Sequence, residues 1–427
     1  MIADLEGDGF AEVVTYRAIL DGESGSVRAR LFEGRTYTNL VRDVAVGDVD
    51  LDGDQEIATG WKLYDADGSE LWSIEPTTWD SAIGAMLIQA DADDDAEIAW
   101  VSEYRVSVTD TDGSILSEVP FPSSPDYEAP MPCSLDADGD GLMDIVFATR
   151  ATLYAMRHDG MEIWSLPIED TSTFTTCSSF DFDADGVPEV LYNDEHTFYI
   201  LDARTGAPLF QDPWESGTRA DLPIVADLDG DGSVEIILGH PWPYDEYVPL
   251  RIYRHADRAW PPGSPFWGSE TWSGTGIWPD GEVQTEPEAP WLKYGVWRGQ
   301  PTSLVWGRDL SAEITDACVS ACTEGAEVRL AVRIANLGPQ SAPRGTPVAV
   351  YGLDDTGARV LLATAATGED LDAGEATNPA IEVVLDYADT VNGVEIVAGD
   401  DGGGALTRYD CDESNNTVAW APGECEE

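Results

Sequence analysis

Residues 136–147 read DADGDGLMDIVF: acidic side chains at the first, third, fifth and ninth positions, Gly at the sixth, and then an apolar run. The same nonapeptide recurs as DLEGDGFAE from Asp4, DVDLDGDQE from Asp48, QADADDDAE from Gln89, DFDADGVPE from Asp181 and DLDGDGSVE from Asp227. Successive copies start 44, 41, 47, 45 and 46 residues apart. A period of about 45 residues is the size of a four-stranded propeller blade.

The flanking sequence agrees with blades. An apolar strand follows every copy: EVV from Glu12, EIA from Glu56, EIAW from Glu97, DIVF from Asp144, EVLY from Glu189 and EIIL from Glu235. Several copies continue into a second hairpin with a Gly turn, as in LYDADGSELW (63–72), VTDTDGSIL (108–116), LYAMRHDGMEIW (153–164) and YILDARTGAPLF (199–210). Asp-Gly suits such turns because both central residues need positive φ. No window keeps a helical period. An apolar stretch before most loops, such as VRDVAVGDV and RADLPIVADL, predicts the innermost strand, whereas only Met1, Ile2 and Ala3 precede the first loop. That short lead predicts further chain upstream.

Composition supports an all-β chain of more than one domain. The 427 residues are 43% hydrophobic, with 15 Trp, 41 Gly and 26 Pro, which is globular and turn-rich. A formal net charge of −60 repels phosphate backbones and anionic headgroups, so nucleic acid is excluded as a partner and cations are favoured. No apolar run is long enough to span a membrane, so no membrane insertion is expected, and no secretory signal precedes Asp4.

The acidic spacing has a physical purpose. Calcium takes six to eight oxygens at roughly 2.3–2.6 Å, and alternate residues of a curled loop can converge on one ion, with Gly permitting the curl. Turn-forming propensity alone would explain one such loop, but not six at a constant period. The expected ligands are Asp4, Glu6, Asp8 and Glu12; Asp48, Asp50, Asp52 and Glu56; Asp136, Asp138, Asp140 and Asp144; Asp181, Asp183, Asp185 and Glu189; and Asp227, Asp229, Asp231 and Glu235. In the third copy Gln89 stands first and Asp94 replaces Gly, leaving Asp91, Asp93 and Glu97, so its occupancy stays open and five to six Ca2+ ions are expected. Unneutralised, each cluster would repel itself, so folding should be coupled to calcium. Six ions would return only about twelve charges, so calcium accounts for the clusters and not for the whole acidic surface.

These loops and their period resemble the FG-GAP/VCBS repeats of integrin-α-like β-propellers, over residues 1 to about 250. The resemblance implies calcium as a structural brace on one face and a ligand on the opposite face or rim, with adhesion or glycan binding as the common role. Residues 254–306 have no acidic loop but hold Trp260, Trp267, Trp272, Trp278, Trp291, Trp297 and Trp306. We expect them to form a degenerate closing blade, making seven blades in all, or six without it. The alternative is a stacking platform for sugars. The propeller domain is thus expected over 1–306.

Beyond it, alternating strands at EVRLAVRIANLG (327–338), TPVAVYGL (346–353) and ARVLLATAA (358–366) predict an immunoglobulin-like β-sandwich over 308–427. IANLGPQSAPRGTPVAVY and DESNNTVAW resemble a CARDB domain, which implies a surface protein linked to adhesion. Cys318, Cys322, Cys411 and Cys425 allow three pairings. Cys133 and Cys177, each just ahead of an acidic loop, either bridge neighbouring inner strands or are buried free thiols.

No catalytic motif is present: there is no GxSxG, HExxH or phosphate loop, and His158, His196, His240 and His255 belong to no nucleophile or zinc pattern. The expected function is a calcium-stabilised, extracellular or cell-surface binding and adhesion module for a glycan or a surface protein. The alternatives are a carbohydrate-active propeller lyase or hydrolase, whose acids could come from separate blades, and a structural spacer in a surface assembly.

Overall fold

The computed structural model describes residues 1–31, 43–74, 83–102, 104–120, 131–170, 175–216, 221–229, 232–239, 250–256, 259–264, 266–268, 277, 283–285, 289–300, 308–321, 325–338, 342–372, 374–404, 406, 410 and 414–422. The chain divides into two compact units, one of Met1–Ala226, Ile236–Tyr253 and Phe266–Thr302, the other of Asp227–Glu235, Arg254–Pro265 and Ser303–Glu427.

The fold is all-β, and the repeat is visible as a succession of small antiparallel sheets. The first sheet is β1 (Ile2–Ala3), β2 (Glu12–Thr15), β3 (Ala18–Asp21) and β4 (Val27–Arg30). The second is β5 (Ala45–Gly47), β6 (Glu56–Thr59), β7 (Lys62–Tyr64) and β8 (Glu70–Ser73), and the third β9 (Ile83–Ile88), β10 (Glu97–Ser102), β11 (Arg105–Thr109) and β12 (Ile115–Pro120). The fourth holds β13 (Cys133–Leu135), β14 (Asp144–Thr149), β15 (Thr152–Met156) and β16 (Glu162–Pro167), and the fifth β17 (Ser178–Phe180), β18 (Glu189–Asn193), β19 (Thr197–Leu201) and β20 (Pro208–Pro213). A sixth has three described strands, β21 (Ile224–Ala226), β22 (Glu235–Gly239) and β23 (Leu250–Arg254). Each second strand begins at the ninth residue of an acidic loop.

Burial orders the strands within a sheet. First strands such as β5, β13 and β17 are wholly buried, whereas fourth strands β4, β8, β12 and β20 are largely exposed. The acidic loops also join neighbouring sheets: the eighth residue of one loop donates its N–H to a carbonyl of the loop before, Gln55 to Leu5 at 2.9 Å, Ala96 to Val49 at 2.8 Å and Met143 to Gln89 at 2.7 Å. In the fifth copy that residue is Pro188, which has no N–H to give. There the Cys133–Cys177 disulfide joins the fourth and fifth sheets, with Cα atoms 5.5 Å apart. Of the two alternatives for these cysteines, the structure adopts the bridge.

Residues 289–300 make no sheet of their own. A short helix, α1 (Pro290–Lys293), leads into β24 (Val296–Trp297), which pairs antiparallel with β13 as a fifth strand of the fourth sheet. Before it, Trp291 lies over Gly47 at the end of β5, and after it Gly299 bridges to Ser179 in β17. The segment therefore crosses the buried first strands of successive sheets. Arg298 is fully buried and its guanidinium makes paired bonds of 2.7 and 2.8 Å to Asp43 while also donating to the Pro132 carbonyl. Where the closing blade was expected, the described residues thus supply a strap of apolar and ionic contacts; Trp272, Trp278 and Trp306 lie outside the described residues. Trp291 and Trp297 are core, 3% and 0% exposed, and so unavailable as a stacking platform.

In the C-terminal unit, β25 (Leu310–Val319), β26 (Glu327–Asn336) and β29 (Ile381–Asp386) form one sheet. A second consists of β27 (Pro347–Leu353), β28 (Arg359–Ala366), β30 (Val394–Ala398) and β31 (Thr417–Trp420). Their inward alternating residues, among them Val328, Leu330, Val332, Val348, Val350, Val383 and Ile396, share one core, as expected for two packed sheets. Cys318 is exposed, and its three candidate partners lie outside the described residues.

Candidate metal centres

Every loop but the third, which opens on Gln89, curls around its first carboxylate. Asp48 accepts from the N–H groups of Asp52 and Gly53, Asp136 from those of Gly139, Asp140 and Gly141, and Asp181 from those of Asp185 and Gly186, all at 2.7–3.2 Å. The curl needs left-handed backbone at the sixth position, where Gly53, Gly141 and Gly186 have φ of 106°, 90° and 89°. It needs the same at the fourth, where Leu51 and Ala184 adopt φ 58° without being glycine. The sequence pattern did not reveal that second requirement.

The ninth carboxylate closes the loop from inside. One oxygen accepts from the N–H of the second loop residue: Glu56 from Val49 at 2.9 Å, Asp144 from Ala137 at 2.9 Å, Glu189 from Phe182 at 2.7 Å and Glu235 from Leu228 at 2.9 Å. The other oxygen faces the remaining acids. In Glu97 and Asp144 that oxygen is buried and has no hydrogen-bond partner. A buried, unpaired carboxylate oxygen costs free energy unless a cation meets it.

The titration behaviour follows from this geometry. Burial first, and the neighbouring loop acids after it, push Glu56 and Asp144 up to about 8 and Glu97 and Glu189 up to about 7. These groups resist ionisation in the bare protein, and a bound cation would reverse that preference.

Five groups of acids converge among the described residues, with ligand atoms within 4.8 Å of one another: Asp48, Asp50 and Glu56; Asp91, Asp93 and Glu97; Asp136, Asp138 and Asp144; Asp181, Asp183 and Glu189; and Asp227, Asp229 and Glu235. These triads could hold metal ions. The third loop belongs with the rest despite its irregular sequence. Its Gln89 uses its amide to bond the Asp93 carbonyl.

The remaining expected ligands behave differently. Asp52, Asp140 and Asp185 accept from the N–H two residues on, at 3.0, 2.9 and 2.9 Å, and do not join the triads. Arg204 also binds Asp185, at 2.7 Å. Asp231 lies outside the described residues. In the first loop, Asp4 and Asp8 keep the curl, with Asp4 accepting from Asp8 and Gly9 and Asp8 from Phe10. Glu6 and Glu12 are bound instead by Arg28. Such an arginine, distant in sequence, could have been found only by aligning the outer strands copy by copy.

The described histidines form no cluster with these acids. His196 sits on the surface between Glu215, at 3.2 Å, and Glu169, and the Glu215 bond raises its pKa. His158 and His255 are half-buried, and His240 lies outside the described residues.

Repeated antiparallel sheets, each with an acidic loop between its first and second strands, define a propeller-like repeat protein with candidate metal loops. Residues 136–192 match the FG-GAP-like repeat family, and the chain carries that repeat. Among solved structures it resembles the V. cholerae biofilm matrix protein Bap1, with a TM-score of 0.60 and 16% identity over 70% of this chain and 76% of that one. It is also similar to the rhamnogalacturonan lyase YesW, at a TM-score of 0.39 and 15% identity over 83% of this chain and 68% of that one. At these identities the first likeness is one of fold alone, and the second is too loose to bear on activity. No curated protein matches the chain in sequence.

Proposed function

We propose that this protein is a calcium-braced, extracellular binding module that presents a surface to a glycan or to another surface or matrix protein, and that it is not an enzyme. The observation that carries the reading is the convergence of three carboxylates in each of five loops, with buried oxygens in Glu97 and Asp144 left without a hydrogen-bond donor. All-oxygen ligation by carboxylates in curled loops suits calcium better than zinc or magnesium. The disulfide is in keeping with an oxidising, extracellular place, as is the fold shared with a protein named for the biofilm matrix.

In this reading the ions are ligated by the first, third and ninth residues of the second, fourth, fifth and sixth loops and by Asp91, Asp93 and Glu97 of the third, and Asp52, Asp140 and Asp185 stiffen the turns. The propeller spans 1–306, and 308–427 is a CARDB-like, immunoglobulin-like domain. The ions hold the loops between first and second strands, and the ligand meets another face. A glycan and matrix-protein array probed with and without chelator tests this: binding lost in chelator and restored by calcium is expected. Turnover of a polysaccharide that persists in chelator would overturn it.

A further inference from the structure

We propose that the first acidic loop is closed by an internal cation, the guanidinium of Arg28, and takes no metal ion, so that the repeat holds five ions and not six. The inference rests on the metal reading of the other five loops.

The first support is the ninth carboxylate. In Glu97 and Asp144 the oxygen that faces the loop has no donor. In Glu12 the equivalent oxygen, Oε1, accepts from Arg28 Nη1, while Oε2 accepts from the Leu5 N–H at 3.2 Å as its counterparts do. The guanidinium also binds both oxygens of Glu6, one of them at 3.0 Å. Arg28 thus meets the third and ninth positions, two of the three that converge in the second, fourth, fifth and sixth loops.

The second support is register. In five sheets the outer strand carries one extra residue at the same place. In β4 it lies between Val27 and Ala29, opposite Leu20 and Ile19; in β8 between Glu70 and Trp72; in β12 between Ile115 and Ser117; in β16 between Glu162 and Trp164; and in β20 between Pro208 and Phe210. The extra residues are Leu71, Leu116, Ile163 and Leu209 in four sheets and Arg28 in the first. A bulge re-aims the side chain it adds, and only in the first sheet is that side chain a cation. The third loop position changes in step: Glu6 stands there, one methylene longer than the Asp of every other copy, and so reaches outward to the guanidinium. A planar fork spanning two carboxylates takes the oxygens a divalent ion would need and repels that ion.

Counting calcium ions per chain by native mass spectrometry tests the assignment. Five ions are expected on the unaltered chain and six on Arg28→Leu/Glu6→Asp, which restores the residues of the other sheets. Four are expected on Leu71→Arg/Asp50→Glu, which transplants the device to the second sheet and stands as the test if the first variant does not fold. Six ions on the unaltered chain, or five on both variants, overturn this inference while leaving the metal reading intact. No ions on the unaltered chain overturn both.

Discussion

Replacing Asp144 with Asn should move stability in opposite directions with and without calcium. The side chain is fully buried; Oδ2 accepts from Ala137 and Oδ1 has no partner. In the metal-free fold burial pushes its pKa up to about 8, far above the usual carboxylate range. At pH 7 the folded protein therefore keeps a proton that the unfolded chain has released, at a cost of about 4 kcal/mol by linkage. Asn removes that cost but leaves its amide without an acceptor, which takes back about 1–3 kcal/mol. In chelator Asp144→Asn should thus melt no lower than the parent and up to several degrees higher. With calcium at a hundredfold its dissociation constant, one lost ion forfeits about 2.7 kcal/mol, or roughly 5–10 °C of the calcium-induced rise for a unit of this size. Differential scanning calorimetry in chelator and in calcium reads both effects. A variant that melts well below the parent in chelator, or that retains the full calcium-induced rise, would refute the argument.

Further outcomes follow from the same structure. Because Glu56, Glu97, Asp144 and Glu189 have folded pKa values raised to about 7 or 8, the metal-free fold binds more protons than the unfolded chain above about pH 4.5. Its stability in chelator should fall as pH rises from about 5, by about 1.4 kcal/mol per unit for each such carboxylate until its folded pKa is reached, near 7 for Glu97 and Glu189 and near 8 for Glu56 and Asp144. This is read as a falling melting temperature, and the trend should weaken or reverse in calcium, which binds the ionised form. Asp43→Asn removes the negative charge that faces the buried Arg298 guanidinium, so urea denaturation should show a loss of about 3–5 kcal/mol, with Asp43→Asn/Arg298→Met recovering part of it. Cys133→Ser/Cys177→Ser opens a loop of 44 residues, and equilibrium unfolding should register a loss of about 4 kcal/mol in the chain-entropy account. An unchanged midpoint would show that the fourth and fifth sheets need no staple where Pro188 withholds its hydrogen bond.

The repeat was legible because its chemistry is local. Nine consecutive residues specify both the curl and the acids, and the strand that follows starts at the ninth, so Glu12, Glu56, Glu97, Asp144, Glu189 and Glu235 mark second strands without reference to anything distant. The fifth position is less legible: Asp52 and Asp140 look like ligands by spacing, and in the structure one oxygen of each caps the N–H two residues on, a bond set by backbone curvature that spacing does not encode. Within the Trp-rich stretch, the described residues 289–300 form a strap where a blade was expected. Composition marks it as buried, but whether buried indoles belong to a new sheet or to a strap across existing ones depends on where the chain returns.

By itself, the sequence determined the all-β class, the period, the acidic loops and three strands of the C-terminal unit, since each rests on residues within a few positions of one another. Tertiary structure alone decided that Cys133 meets Cys177, that Arg298 meets Asp43 and that Arg28 enters the first loop. These partners lie 44, 255 and 16–22 residues apart. Side chains so separated are brought together by sheet register and by the return of the chain, and neither is written in any short stretch of residues.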